Sequence, residues 1–279
     1  MSNKTVFNAS KFSGLGNKIL LVDLIRQSCN INSASVKKII EENQVEFDQL
    51  ISIEAPILPD LDFSARIFNK DSSQAENCIN GARCFAKYVI DSNLLNKKEL
   101  LVGVGKIRWK ILAHQSGDYS VEQEVSDIFA GKDLLPEINT KNLHKLTVLE
   151  DTIEIGYLNL GNPHGIFFTS EIDNLPLDSW GKNLQTSTWF PTGVNLGLAE
   201  INSPSKVKLR VYERGVGETL SCGSGACATV ILGVLMGLLE EEVEVNFKKG
   251  SLLVKYNKKN RKLTARGTAN FLEEVKISL

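Results

Sequence analysis

The chain has 279 residues, with 32 Lys and Arg against 33 Asp and Glu and a formal net charge of −1, so it lacks the basic excess that nucleic-acid or anionic-membrane binding leaves. That length exceeds one ordinary domain and buries a core without help from disulfides or metals, and five cysteines, an odd number, point to a reducing cytoplasm rather than a secreted disulfide framework. The opening MSNKTVFNASKF has no export-type apolar run, and the longest apolar stretch, residues 228–239, falls short of the ~20 residues a bilayer needs, so a small molecule is the expected partner.

Along the chain, residues 18–24 read as a buried apolar strand and residues 35–43 as a helix. Over residues 62–69, Phe63, Ala65 and Ile67 alternate with Ser64 and Arg66, the period of a strand with two unlike faces. A helix is predicted over 82–92, then strands 100–104 and 106–112 around a turn at Gly105. Strands 145–149, 152–160 and 165–168 follow, then helices 177–185 and 225–239, and a closing strand 271–279. Strands that pair locally around a few helices predict an α+β fold.

Two stretches repeat. Arg66-Ile-Phe-Asn stands twelve residues before Cys78, and Arg210-Val-Tyr-Glu twelve before Cys222. Each cysteine opens a small turn, Cys78-Ile-Asn-Gly-Ala or Cys222-Gly-Ser-Gly-Ala, that runs into an apolar helix. Upstream, Asn17 of a Gly-Asn pair precedes Cys78 by 61 residues, and Asn162 of another precedes Cys222 by 60. The pattern reads as a duplication, with halves 1–122 and 123–267 and a final segment, 268–279, returning to the first half.

A cysteine at the start of a helix faces unpaired backbone N–H groups and the positive end of the helix dipole, which favour a thiolate and can grip a carboxylate. Two such turns face to face would hold one carboxylate between two helix ends, with a sulfur on either side of its α-carbon. One sulfur removes the proton and the other returns one, inverting the centre, while preorganised N–H donors stabilise the developing charge. A buried cysteine is more often a core residue, which is the reading of Cys29, Cys84 and Cys227. A zinc site is disfavoured because no C-x-x-C knuckle is present and His114, His144 and His164 form no ligand pattern with the cysteines. Gly14-Leu-Gly-Asn lacks the third glycine of a dinucleotide loop. His164 and Glu213 are candidates for adjusting thiol protonation, with a satisfied histidine and an exposed strand-end glutamate as the plain alternatives.

Several blocks, in order, carry a resemblance: Lys11-Phe-Ser-Gly-Leu-Gly-Asn17, Phe47-Asp-Gln-Leu, Arg66-Ile-Phe-Asn69, Cys78-Ile-Asn-Gly-Ala-Arg-Cys-Phe-Ala86, Gly161-Asn-Pro-His164, Val194-Asn195, Val211-Tyr-Glu-Arg-Gly-Val-Gly-Glu-Thr219 and Cys222-Gly-Ser-Gly-Ala-Cys-Ala228. The chain resembles the diaminopimelate epimerase family. The resemblance implies two pseudo-symmetric lobes of mostly antiparallel sheet around a central helix, usually as a homodimer. It also implies interconversion of L,L- and meso-2,6-diaminopimelate in lysine and peptidoglycan-precursor synthesis, with neither cofactor nor metal. Carried over, Cys78 and Cys222 become the acid/base pair, with His164 and Glu213 assisting. Ile79, Asn80, Gly223 and Ser224 would hold the reacting carboxylate; Asn17, Gln49, Asn69, Asn162, Asn195 and Arg214 would recognise the rest of the substrate. A guanidinium suits a distal carboxylate, although asparagines read alone are mostly turn formers.

The chain departs from the family pattern where Ile79 and Ser72 replace glycines, where Val45-Glu46 precede Phe-Asp-Gln, and in the Val102-Gly-Val-Gly stretch. If Ile79 has an ordinary backbone, glycine there is expected to cost a few tenths to about 1 kcal/mol. Rival readings are a proline- or hydroxyproline-type racemase, which would keep both cysteines without the distal polar set, and a phenazine-type isomerase or silent binding protein, which loss of the cysteine pair would mark.

Overall fold

The computed structural model describes residues 5–125 and 143–279; part of the expected second half, residues 126–142, lies outside the described residues. The chain divides into two compact units, Met1–Gln123 with Arg266–Leu279, and Glu124–Ala265. The first contains β1 (Val6–Gly14), β2 (Asn17–Asp23), α1 (Ser33–Glu42), β3 (Gln49–Glu54), β4 (Phe63–Asn69), β5 (Gln74–Ala75), α2 (Ile79–Asp91), β6 (Glu99–Val104), β7 (Ile107–Ala113) and β8 (Tyr119–Glu124). Next come β9 (His144–Val148), β10 (Asp151–Asn159), β11 (Pro163–Thr169), α3 (Leu177–Gln185), β12 (Asn195–Ser203), β13 (Lys206–Glu213), β14 (Gly217–Thr219), α4 (Gly223–Leu235), β15 (Glu242–Phe247), β16 (Gly250–Asn257) and β17 (Lys262–Gly267). The chain closes with β18 (Asn270–Ser278).

Both units follow the same pairing scheme. In the first, β1–β2, β3–β4, β4–β5 and β6–β7 are antiparallel, while β2–β3 and β4–β6 are parallel. In the second, β10–β11, β12–β13, β13–β14 and β15–β16 are antiparallel, while β11–β12 and β13–β15 are parallel. The outer partner corresponds as well: β18 lies antiparallel on β1, and β9 on β10. The fold is thus α+β with mostly antiparallel pairing and a repeated topology. The parallel pairs went unforeseen because such pairs need a crossover rather than a tight turn. Here α1, α2, α3 and α4 supply the crossovers.

Local chemistry explains the helix ends. The α1 start is a capping box, in which Asn32 Oδ1 accepts from the Ser35 amide at 3.0 Å and Ser35 Oγ from the Asn32 amide at 2.7 Å. The helices expected from residues 82 and 225 begin earlier, at Ile79 and Gly223, directly behind the cysteines. Asn, Gly and Ser score poorly as helix formers, but a capping side chain and burial outweigh propensity. At its far end α4 stops at Leu235, short of residue 239, where Gly237 turns into the left-handed region at φ 73°. α4 is apolar on every side and buried along nearly its whole length, as the central helix of its unit must be.

β1 was not read from the sequence, since polar Asn8, Ser10 and Lys11 break its pattern. It is held between β2 and β18. Around it, Phe7, Ala9, Leu20, Val22, Leu50, Phe68 and Ile277 form one core with Val36 and Ile39 of α1. The second unit packs Ile155, Tyr157, Trp180, Leu184, Phe190 and Leu196 in a separate cluster.

Candidate active site

Cys78 and Cys222 stand 144 residues apart and occupy the same position in each unit, the N-cap of α2 and of α4. Both have extended backbones, φ −150° and −131°, and both turn the sulfur back onto the third helical amide. Gly81 N donates to Cys78 Sγ at 3.1 Å, and Gly225 N to Cys222 Sγ at 3.4 Å. Glycine suits both donor positions: a Cβ at Gly81 would lie 2.3 Å from Ile51 Cδ1 and 3.1 Å from Cys78 Sγ, and one at Gly225 3.3 Å from Cys222 Sγ. Each sulfur therefore lies at a helix N-terminus, where negative charge is favoured.

In the first unit Gln49 and Asn69 face each other across β3 and β4, and Gln49 Nε2 donates to Asn69 Oδ1 at 3.0 Å. Asn69 Nδ2 donates onward to Ser73 Oγ, also at 3.0 Å. Asn17 opens β2, and its Oδ1 is buried without a hydrogen-bond partner among the described residues. Ile79 and Asn80, in the first turn of α2, are only 4% and 2% exposed. Ile79 is helical, outside the left-handed region, so its glycine was not needed for conformation. Its burial, however, means that removing the side chain loses packing as well as backbone order, a larger effect than the sequence suggested. Ser72 is different: it sits at φ 66°, where glycine is the unstrained choice.

The second unit gathers a denser polar set. His164 Nε2 bonds Asn162 Oδ1 at 3.0 Å, Asn162 Nδ2 donates to Ser224 Oγ at 3.4 Å, and Ser224 Oγ lies 3.5 Å from Cys222 Sγ. A polar chain thus runs from the imidazole to the sulfur. His164 is wholly buried, and its Nδ1 has no partner among the described residues. Burial, aided by the charge of Arg214, pushes its pKa down to about 3, so the ring is neutral at physiological pH. With Nε2 donating to Asn162, the neutral tautomer presents Nδ1 as a bare acceptor. It is not the satisfied histidine of the plain alternative.

Glu213 ends β13, and its Oε1 accepts from Thr219 Oγ1 at 2.6 Å. Its carboxylate also takes a hydrogen bond from the Cys222 thiol. Burial first, and the Glu213 charge second, raise the Cys222 pKa well above that of an ordinary thiol, while Ser224 and the Gly225 amide pull the other way. Cys222 is accordingly a thiol in this arrangement.

Asn195 is paired with His164 in the parallel β11–β12 register. Its Nδ2 donates to Pro163 O at 3.0 Å and its Oδ1 accepts from Arg214 N at 2.8 Å, so its carboxamide braces the two strand ends that carry His164 and Glu213. Arg214 is exposed. Its guanidinium donates to Thr192 O at 3.0 Å and lines a cavity of about 560 Å³ with Gln185, Tyr212 and Val216. Sequence reasoning passed over Thr219, which holds Glu213, and Arg83, which holds Asn80 at 2.8 Å. Arg83 lies inside a motif block and is the one formal charge among residues 78–86, a signal that could have been used.

Cys84 and Cys227 are core residues, fully buried, and burial raises Cys84 to about 12. Cys29 is half-buried against the core of the first unit.

The repeated α+β topology places the chain among proteins of one fold. A hydroxyproline epimerase from Agrobacterium vitis, solved with bound trans-4-hydroxy-L-proline, superposes with a TM-score of 0.71 at 11% identity, over 100% of this chain and 94% of that one. Two phenazine biosynthesis proteins of the PhzF family superpose similarly. The one from Enterococcus faecalis has a TM-score of 0.69 at 12% identity, covering 98% and 99% of the two chains, and the one from Bacillus anthracis 0.67 at 14%, with the same coverage. The family follows from sequence: the model for diaminopimelate epimerase matches residues 9–123 and 156–272, nearly the whole chain, and the protein belongs to that family. Membership indicates an isomerase of the epimerase or racemase kind. No helix among the described residues is long and apolar enough to cross a membrane.

Proposed function

We propose that the protein is a diaminopimelate epimerase that inverts one α-carbon between Cys78 and Cys222, interconverting the L,L and meso forms. The observation that carries this reading is the matched pair of cysteine-capped helices, 144 residues apart. In the proposed reaction one sulfur, as thiolate, removes the α-proton while the other, as thiol, protonates the opposite face. First-turn amides at Ile79, Asn80, Gly223 and Ser224 hold the reacting carboxylate and stabilise the charge it gains. Glu213 keeps Cys222 protonated, and Asn162 with His164 fixes Ser224. The distal ammonium and carboxylate would be met by Asn17, Gln49, Asn69, Asn162, Asn195 and Arg214, with Asn195 also bracing that region. The chemistry invokes no cofactor or metal, because thiols move the proton and amides hold the charge. We further propose a cytoplasmic homodimer serving lysine and peptidoglycan-precursor synthesis.

The hydroxyproline epimerase of the same fold makes a proline-type substrate the nearest competitor. Against it stand the polar residues Asn69, Asn162 and Arg214, for which a cyclic imino acid has no use. The test is turnover by purified protein of L,L-diaminopimelate alongside proline, trans-4-hydroxyproline and glutamate. Inversion of diaminopimelate alone is expected; inversion of proline or hydroxyproline in its place would overturn the assignment.

A further inference from the structure

Arg83 and Cys227 hold the same position in the repeat, five residues after Cys78 and Cys222 respectively. Both side chains are fully buried, at 0% exposure. A thiol fills this position in α4, so the packing of such a helix against its sheet does not require a guanidinium there. Burying a charge is costly unless strong hydrogen bonds compensate it. Two hydrogen bonds of Arg83 go to the turn behind Cys78, and a third reaches the approach to β18. Nη2 donates to Asn80 Oδ1 at 2.8 Å, Nη1 to Ile79 O at 3.5 Å, and Nε to Thr268 O at 3.2 Å, just before β18. Asn80 corresponds to Ser224, which in the second unit is held instead by Asn162 and Cys222. Asn80 is confined on its other side too, since a Cβ on Gly14 would lie 3.1 Å from Asn80 Cβ.

We propose that Arg83 is a positioning residue for the epimerisation: its guanidinium fixes the Asn80 carboxamide and the first turn of α2, and places a permanent cation beneath the Cys78 end of the helix. This rests on the two-cysteine reading above. A fixed cation in a dry interior favours an anionic sulfur nearby far more than one in water would, and Arg stays charged at any working pH. The two turns are then unequal by construction, with a cation behind Cys78 and a carboxylate beside Cys222, so that the resting pair is a Cys78 thiolate and a Cys222 thiol.

The test measures iodoacetamide alkylation of each cysteine at pH 7 by peptide mass spectrometry, together with kcat and KM, in wild type, Arg83→Met and Arg83→Lys. In wild type, Cys78 is expected to react at least tenfold faster than Cys222. Arg83→Met should slow Cys78 alkylation about tenfold and lower kcat by tenfold or more, leaving Cys222 within twofold. Arg83→Lys keeps the charge but loses the fork, so Cys78 alkylation should stay within threefold of wild type while kcat falls about fivefold. A folded Arg83→Met protein with unchanged Cys78 reactivity would overturn the inference and leave Arg83 as a brace for Thr268. If Arg83→Met does not fold, wild-type kcat in Arg83→Lys, or Cys78 no more reactive than Cys222 in the unaltered enzyme, overturns it equally. The underlying reading fails separately, by full activity in Cys78→Ala.

Discussion

Behind Cys78, on the same helix, lies the guanidinium of Arg83, whereas beside Cys222 lies the carboxylate of Glu213, at the end of the preceding strand. The strand-end position that Glu213 holds in the second unit belongs to Asn69 in the first, each nine residues before its cysteine. Backbone and capping geometry are alike in the two turns, and the ionic surroundings are not. The repeated topology brings two like helix ends; on the proposed reading, the side chains around them suit one end to a thiolate and the other to a thiol. Inversion at carbon needs one thiolate and one thiol at the start of each turnover, because a proton is removed on one side and delivered on the other, and the two sulfurs exchange states as it proceeds.

Removing either sulfur breaks the comparison outright and has the largest expected effect. Cys78→Ala and Cys222→Ala should each lower kcat by roughly 10²–10⁴-fold or more, the range for loss of a general acid or base, with the fold retained by circular dichroism. Substantial turnover in either variant would end the two-base account.

Making the first turn more like the second is the next test. Ile79→Gly converts Cys78-Ile into the Cys-Gly of α4, but Ile79 is buried, so the variant should lose roughly 2–4 kcal/mol of stability in urea titration. A loss of only a few tenths would mean that the side chain is not packed. A large gain in activity would show that Ile79 obstructs the site.

Glu213→Gln removes the anionic half of the comparison. The Cys222 thiol should then ionise at lower pH, seen as a downward move in the midpoint of its alkylation profile, though burial keeps it above the ordinary range. Stability follows with a fixed sign. The folded state holds the Cys222 proton more tightly than the unfolded chain, so that contribution is complete below a thiol pKa of about 8.5 and is lost as pH rises towards the folded value. Glu213→Gln should make that alkaline loss shallower. An unmoved alkylation midpoint would exclude Glu213 as the group acting on Cys222.

The smallest effect is expected at Ser72, whose φ of 66° is tolerated rather than favoured. Ser72→Gly relieves the strain at some entropic cost and should change stability by no more than about 1 kcal/mol, towards greater stability. Destabilisation beyond that in thermal melts would mean that the Ser72 side chain makes a contact outweighing its strain.

How far the molecule could be read without coordinates follows from where each signal is stored. The cysteine turns and their 144-residue spacing were legible because they lie in short contiguous blocks. The parallel pairs β2–β3 and β11–β12 were not, since register across a crossover leaves no local pattern. The engagement of the Asn195 carboxamide with Pro163 O and Arg214 N, like that of Asn162 with His164 and Ser224, was not legible either, because side-chain partners on neighbouring strands leave no local pattern. Arg83 escaped notice because a charged residue is taken as exposed by default. The distinction between neutral, buried His164 and a charged one depends on desolvation, which only packing reveals.

The central claim is that different thiols serve the two faces, and deuterium incorporation tests it most directly. In heavy water at early conversion, the thiolate removes protium while the opposing sulfur delivers deuterium. Product should therefore carry deuterium at the inverted α-carbon, and recovered L,L-diaminopimelate should carry little. Mass spectrometry of the separated stereoisomers reads both, and product rich in protium would contradict independent roles for Cys78 and Cys222.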